Sequence, residues 1–298
     1  MTAELDAVLD HYGLMRTGPA TPLTGGADND TVRVATDKGD VVVRRYLRPG
    51  PVRTELRFVE ALARRGFPTP GPLRTHTGER LVPGDVPVAV FPFVEGAVPA
   101  EMTAELAVQC GRLLATLHTT APDERLPVID RRARLRKAIG EPLDLDGGEE
   151  FRDTVSAFLR DRAGELDALE ALPSGALHHD PHRHNLLVAD GEITALLDFG
   201  ELNRGPLIVD LARAFHYLAV DRDDFRPPGD LVAAMLGGYG RVRGLSPAER
   251  ASLQVAVDLV GLVDAAEFLV EHAPGLGYGS VESCHSWRAF RGSAGILG

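Results

Sequence analysis

The feature that most constrains this chain is the run His178-His179-Asp180-Pro181-His182-Arg183-His184-Asn185-Leu186-Leu187, followed after a short interval by Asp198-Phe199-Gly200. Asp190-Gly191 separates two short apolar runs, 186–188 and 193–197, which is the pattern of a tight hairpin. A hairpin there folds Asp198 back beside Asn185. An aspartate, an asparagine five residues on, and a second aspartate before Phe-Gly together suit phosphoryl transfer. One carboxylate stands beside an acceptor hydroxyl, while an amide oxygen and another carboxylate hold Mg²⁺ against nucleotide phosphates.

Around this motif the chain changes character. Residues 31–36 and 41–46 are β-branched runs joined by Asp37-Lys38-Gly39-Asp40, a hairpin turn. Residues 54–65 carry Leu56, Val59 and Leu62 on one helical stripe and stop at Gly66. Another apolar strand covers 86–94. From there the periodicity is helical: 103–117, 131–139, 149–172, and a helix opened by Ser246-Pro247-Ala248-Glu249 that is expected to run to about Glu271. The expected organisation is therefore α+β, with a small β-rich lobe over 1–95 and a larger, mainly helical lobe over 96–298.

The net charge of −11 has a definite location: residues 1–95 hold 12 basic and 12 acidic side chains, the remainder 20 and 31. A nucleic-acid binder would carry the opposite sign. No apolar run approaches the roughly 20 residues of a membrane span. Two cysteines, Cys110 and Cys284, provide no disulfide framework, and no export signal is visible. The expectation is a cytoplasmic protein. Four histidines in seven residues invite a transition-metal reading, but a loop committed to placing Asp180 and Asn185 is poorly able to turn four imidazoles to one point.

The motif resembles that of the aminoglycoside phosphotransferase and choline kinase family, small-molecule relatives of protein kinases. Gly205-Pro206 and Asp210-Leu211-Ala212 extend the likeness. The resemblance implies a two-lobed protein-kinase-like fold, with ATP as co-substrate (GTP remaining open) and Mg²⁺ as cofactor. By the same likeness Asp180 is the base or hydroxyl-orienting residue, Asn185 and Asp198 are the metal ligands, and Asp210 is structural. The family usually has glycine where His179 stands and an apolar residue where Pro181 stands, which puts the loop's shape in question. In the first lobe, Gly25, Gly26 and Asn29 form a candidate phosphate loop. The family's lysine is replaced: strand register selects Arg44, with Arg45 on the opposite face and Glu55 as the expected partner. Phe91 C=O and Phe93 N–H are expected to read the adenine edge, with Pro92 between them.

Acceptor recognition is less defined. At about 100° per residue, Asp264, Glu267 and Glu271 share a helix face and form a candidate anionic wall for a cationic acceptor. Asp221, Asp223 and Asp224 form a second acidic cluster, and the basic run 131–137 reads as an exposed helix side. The leading reading is an O-phosphotransferase acting on a cationic small molecule such as an antibiotic. The alternatives are a homoserine- or choline-type amino-alcohol kinase and a catalytically silent nucleotide-binding module. The oligomeric state stays undetermined.

Overall fold

The computed structural model describes residues 2–23, 29–47, 50–82, 84–271 and 277–297. By its internal contacts the chain divides into two compact units. One comprises Met1–Pro99, Thr120–Arg125 and His184–Gly200; the other comprises Ala100–Thr119, Leu126–Arg183 and Glu201–Gly298. The first break falls close to the expected 95/96 boundary, but the hairpin after the histidine run groups with the first unit. The reason is backbone pairing: Ala97 and Val188 exchange two hydrogen bonds of 2.9 Å, and Leu196 N–H donates to Pro68 O at 2.8 Å.

In the first unit, α1 (Thr2–His11) precedes β1 (Arg16–Pro22), β2 (Asn29–Thr36), β3 (Gly39–Tyr46), α2 (Val52–Arg64) and β4 (Val88–Pro92). The four strands form one antiparallel sheet in the order β1-β2-β3-β4. Alternation divides its faces. Val41 and Val43 pack with Leu9 and Tyr12 of α1. Val42 and Tyr46 turn to the other face, against Val52 and Leu56 of α2. Helix α2 stops at Gly66, whose φ of +82° is a left-handed position.

The second unit is mainly helical. It contains α3 (Ala104–Thr120), α4 (Arg131–Gly140), α5 (Gly148–Asp161), α6 (Ala163–Glu170) and β5 (Ser174–Leu177). In the first unit the hairpin follows as β6 (Leu186–Ala189) and β7 (Glu192–Leu196). The second unit resumes with β8 (Asn203–Pro206), which pairs with β5, then α7 (Ile208–Val220), α8 (Gly229–Gly240), α9 (Pro247–Ala251), α10 (Leu253–Ala266) and α11 (His285–Gly292). The helix expected over 149–172 is two helices broken at Arg162, where φ is −103°. The one expected from Ser246 is also interrupted. Its capping box forms as read, but α9 ends at Ala251, and beyond Ala266 the chain continues as a π-turn, Glu267–Glu271. Helices α3 and α8 meet backbone to backbone. A Cβ on Gly111 would lie 2.0 Å from Met235 O, and one on Gly238 would lie 2.0 Å from Val108 O.

Candidate active site

In the first unit, strand parity decides which arginine turns inward. Arg44 shares the α2 face with Val42 and Tyr46, and its guanidinium lies 3.9 Å from Glu55 and 3.7 Å from Asp198. Arg45 points to the α1 side, exposed, with Asp30 at 3.3 Å and Glu4 at 3.8 Å. Tyr46 was missed from sequence, although its two-residue spacing from Arg44 is the available signal; its hydroxyl donates to Glu55 Oε1 at 3.4 Å. Burial, with Asp198 adding to it, lifts the Glu55 carboxyl to about 7 against the opposing pull of Arg44 and Tyr46. Arg44 keeps its charge, because the burial that opposes it is outweighed by Asp198, Tyr46 and Glu55. Its Nε is buried without a hydrogen-bond partner.

The β6–β7 hairpin turns at Asp190-Gly191, both at positive φ, and Leu197 N–H donates to Asn185 O at 2.8 Å. Asn185 and Asp198 therefore end opposite strands of one hairpin. Asp198 sits at φ +59°, and Gly200 N–H and Arg44 both approach its Oδ1. Phe199 is buried against Phe58 of α2.

The expected adenine-reading groups are on the wrong side of β4. Phe93 N–H donates to Asp40 O at 3.1 Å. In an antiparallel ladder this makes Phe91, two residues back and opposite Val42, a hydrogen-bonded pair as well. Phe91 C=O and Phe93 N–H are thus turned into the sheet. The groups of opposite parity face away from β3, as Val90 O shows by accepting from Leu73 N–H at 2.8 Å. Pro92 C=O and Val94 N–H share that parity, and proline's missing N–H costs the ladder nothing. Gly25 and Gly26 lie outside the described residues; Asn29 begins β2 opposite Tyr46.

In the second unit, β5 delivers His178, His179 and Asp180. Asp210, in the first turn of α7, accepts the amides of His178 at 2.9 Å and His179 at 2.8 Å. His118 of α3 holds the same carboxylate at 3.0 Å. His179 adopts φ +69°, a conformation that favours glycine, and its ring is buried with Nδ1 unpartnered. Asp180 accepts from the Tyr217 hydroxyl on Oδ1 and meets His182 Nε2 at 3.2 Å on Oδ2. Burial raises the Asp180 carboxyl, but His182, Tyr217 and Arg213 outweigh it and hold the group well below the usual carboxylate range.

Arg213 ties this loop to α10. Its Nε donates to His179 O at 2.8 Å, one terminal nitrogen donates to the Tyr217 hydroxyl, and the other meets Asp264 Oδ1 at 2.7 Å. Asp264 also accepts from His216 Nε2 at 3.1 Å and Ser286 Oγ at 2.6 Å. Asp210, Arg213 and Tyr217 recur at three- and four-residue spacing on one face of α7, a signal that sequence reading could have used.

These contacts correct the expected anionic wall. Asp264 is 5% exposed and fully engaged, so it faces the core and not a ligand. The π-turn abandons the 100° spacing on which the shared face depended. Glu267 instead stands 3.9 Å from Arg134, and the Glu271 side chain lies outside the described residues. Nor is the 131–137 run all exposed. Arg131 is 6% exposed, reaches Asn203 Oδ1 at 3.3 Å, and is pushed down to about 10 by burial. In the second acidic cluster, Asp221 takes Arg183 at 2.9 Å and Asp224 takes Arg222 at 3.3 Å. Among the described residues no group of three or more His, Cys, Asp and Glu forms a metal site, and no helix is long and apolar enough to cross a membrane.

A β-sheet unit carrying a buried cation–carboxylate cluster, followed by a helical unit carrying a loop-borne aspartate, is the construction of kinase-like phosphotransferases. Residues 19–245 match the phosphotransferase enzyme family, and the chain belongs to that family. It is a small-molecule kinase acting on a hydroxyl acceptor. It is 28% identical over 260 residues to the homoserine kinase of Gluconobacter oxydans, covering 84% of this chain and 81% of that protein. It is 30% identical over 261 residues to that of Rhodospirillum rubrum, covering 84% and 79%. A spectinomycin phosphotransferase solved with ADP and spectinomycin shares the fold, with a TM-score of 0.64, 15% identity and coverage of 97% and 93%. The silent-module alternative is thereby set aside.

Proposed function

We propose that the protein transfers the γ-phosphoryl group of ATP to the hydroxyl of a small amino alcohol of the homoserine type. The observation that carries this reading is the Arg44 cluster: a buried, permanently charged guanidinium beside Glu55 and Asp198, with one N–H left without a protein acceptor. Such a group suits a nucleotide phosphate. Residues 1–95, with the β6–β7 hairpin, would serve as the nucleotide lobe, and the rest of 96–298 as the acceptor lobe. Pro92 C=O and Val94 N–H replace Phe91 and Phe93 as the adenine-facing pair.

Asn185 and Asp198 supply an amide oxygen and a carboxylate, hard donors of the kind Mg²⁺ takes together with phosphate oxygens and water. The one interacting pair on Asp198 meets Oδ1, which leaves Oδ2 among the described residues for a cation. Bound there, Mg²⁺ neutralises charge on the transferring phosphate. Asp180 stays ionised at neutral pH and orients the acceptor hydroxyl for attack; Tyr217 and His182 fix its carboxylate, and Arg213 positions Tyr217.

The homoserine kinases among the relatives favour an amino-acid alcohol over the antibiotic acceptor expected from sequence. The deciding experiment measures ADP release with Mg·ATP against L-homoserine, choline, aminopropanol and spectinomycin. L-homoserine should give the highest kcat/KM, and Asp180→Asn should lower kcat about 10²–10⁴-fold. A preference for spectinomycin, or near-normal turnover by Asp180→Asn, overturns the respective assignment.

A further inference from the structure

The sheet face that carries Arg44 holds a second arginine outside the phosphate cluster. Arg33 of β2 stands opposite Val42 of β3, and directly opposed residues share a face. Val42 packs on the α2 side with Tyr46, Leu56 and Phe91. Thr31 and Arg44 form the neighbouring row, two residues or about 7 Å along the strands. The Arg33 row therefore lies between Arg44 and the end of β4, where Pro92 C=O and Val94 N–H face away from β3.

Arg33 is fixed in place by three contacts. Its guanidinium carbon lies 3.8 Å from the centre of the Phe93 ring, the separation of a stacked pair. Nε and a terminal nitrogen both reach Asp40 Oδ2, at 2.7 and 2.5 Å. The Asp40 carbonyl accepts the Phe93 N–H at 3.1 Å, so one residue holds both the ring and the cation. Glu95, itself exposed, stands 3.9 Å from the same terminal nitrogen. The Arg33 side chain is nevertheless 39% exposed, and among the described residues Phe93 is the one ring it covers. The second face of the guanidinium is left for a further ring.

Two features separate this arrangement from an ordinary surface ion pair. Arg33 shares its row with Val42 and Phe91, both apolar, so the charge is not there to continue a solvated face. That charge is also answered already by Asp40, whereas Arg44 keeps an N–H without a protein acceptor. A guanidinium neutralised by a carboxylate draws a phosphate poorly, yet its plane still stacks on aromatic rings.

We propose that Arg33, clamped on Phe93 by Asp40, is the surface on which the purine base of the nucleotide stacks. The proposal rests on the ATP reading above and goes beyond it, assigning base affinity to a residue outside both the phosphate cluster and the Pro92–Val94 edge. Along the strands from Arg44 toward Pro92, the phosphates meet the unspent cation and the base meets the stacked one. Stacking reads a π face, which adenine and guanine share. Arg33 thus holds either purine, and the choice between them falls to the edge groups.

The test measures binding of ADP, GDP and pyrophosphate to the full chain by calorimetry with Mg²⁺, alongside ATP turnover. Arg33→Met keeps the aliphatic stem and removes the cationic plane. It should weaken ADP and GDP about five- to thirtyfold, the range for a cation or ring stacked on a base, and leave pyrophosphate unchanged. A purely structural ion pair would move all three ligands together, or none. Arg33→Lys keeps the charge without the plane and should recover only part of the loss. Melting temperatures control for folding; if Arg33→Met does not fold, Asp40→Asn, which frees the guanidinium from Phe93, carries the same comparison. Pyrophosphate weakened in parallel with ADP, full recovery by Arg33→Lys, or ADP affinity indifferent to Arg33→Met overturns the proposal. In each of these cases, ATP turnover by the parent chain leaves the kinase reading standing. Purine binding that depends on Arg33, without phosphate transfer to any hydroxyl compound, overturns the kinase reading and leaves the base site. A parent chain that binds neither ADP nor GDP overturns both.

Discussion

Adjacent arginines on β3 have different fates because side chains alternate along a strand. The Arg44 side chain is 16% exposed beside two carboxylates, while that of Arg45 is 39% exposed in a rim pair. Arg44→Ala should raise the KM for ATP and lower kcat, since it removes a desolvated cation and leaves the buried Glu55 carboxyl without its counter-charge. Arg45→Ala should change neither by more than about twofold, because exposed pairs contribute only about 0–1 kcal/mol. Steady-state kinetics on both variants checks this, and the reverse ranking would place the phosphate cation on the other face. The same parity argument worked for Arg44 and failed for Phe91 and Phe93. Side-chain direction follows from which neighbours are apolar, and Val41 and Val43 announce that. Backbone direction depends on which pairs of the ladder are hydrogen-bonded, and no side chain encodes that choice.

Element packing shows where sequence reading reaches its limit. Gly111 and Gly238 let α3 and α8 touch through their backbones, whereas Gly237, on the exposed side of α8, faces open space. Gly238→Ala should cost about 3 kcal/mol or more, because a methyl meeting Val108 O at 2.0 Å forces the helices apart. Gly237→Ala should stabilise by up to about 1 kcal/mol through helix propensity alone. Urea unfolding of the pair separates the two effects, and equal shifts would refute the close approach. Helix starts, the Asp190-Gly191 turn and the Asn185–Asp198 hairpin were readable because each has a local chemical cause. The anionic wall was misread because burial of Asp264 depends on Arg213, His216 and Ser286, residues 51, 48 and 22 positions away. No window on the sequence spans those separations.

At the scale of the whole molecule, buried carboxylates oppose one another in pH. Asp264 is buried, which raises its pKa, but Arg213 and His216 hold it below its ordinary 3.8. Its contribution to stability is therefore present above about pH 4 and lost as pH falls through the depressed value. Glu55 behaves in the opposite sense. Its folded pKa of about 7 lies above the ordinary 4.5, so its contribution is fully present below 4.5 and lost as pH rises toward and through 7. Stability should peak on the acid side of neutrality. Asp264→Asn should cost about 3–5 kcal/mol at pH 7 by stranding Arg213. That deficit should shrink as the pH is taken below 4. Urea midpoints at pH 7, 5 and 3 measure it, and a deficit constant across the series would mean Asp264 does not titrate with folding.

The π-turn after Ala266 bears on descent. It closes its hydrogen bonds one residue further on than the α-helix it follows, and so amounts to a single-residue insertion at the end of α10. Deleting one residue from Glu267–Glu271 restores α spacing and swings the carboxylate-bearing position by about 100°. A lineage can therefore re-aim the side chains of this segment through the loss or gain of one codon, with the rest of α10 unchanged.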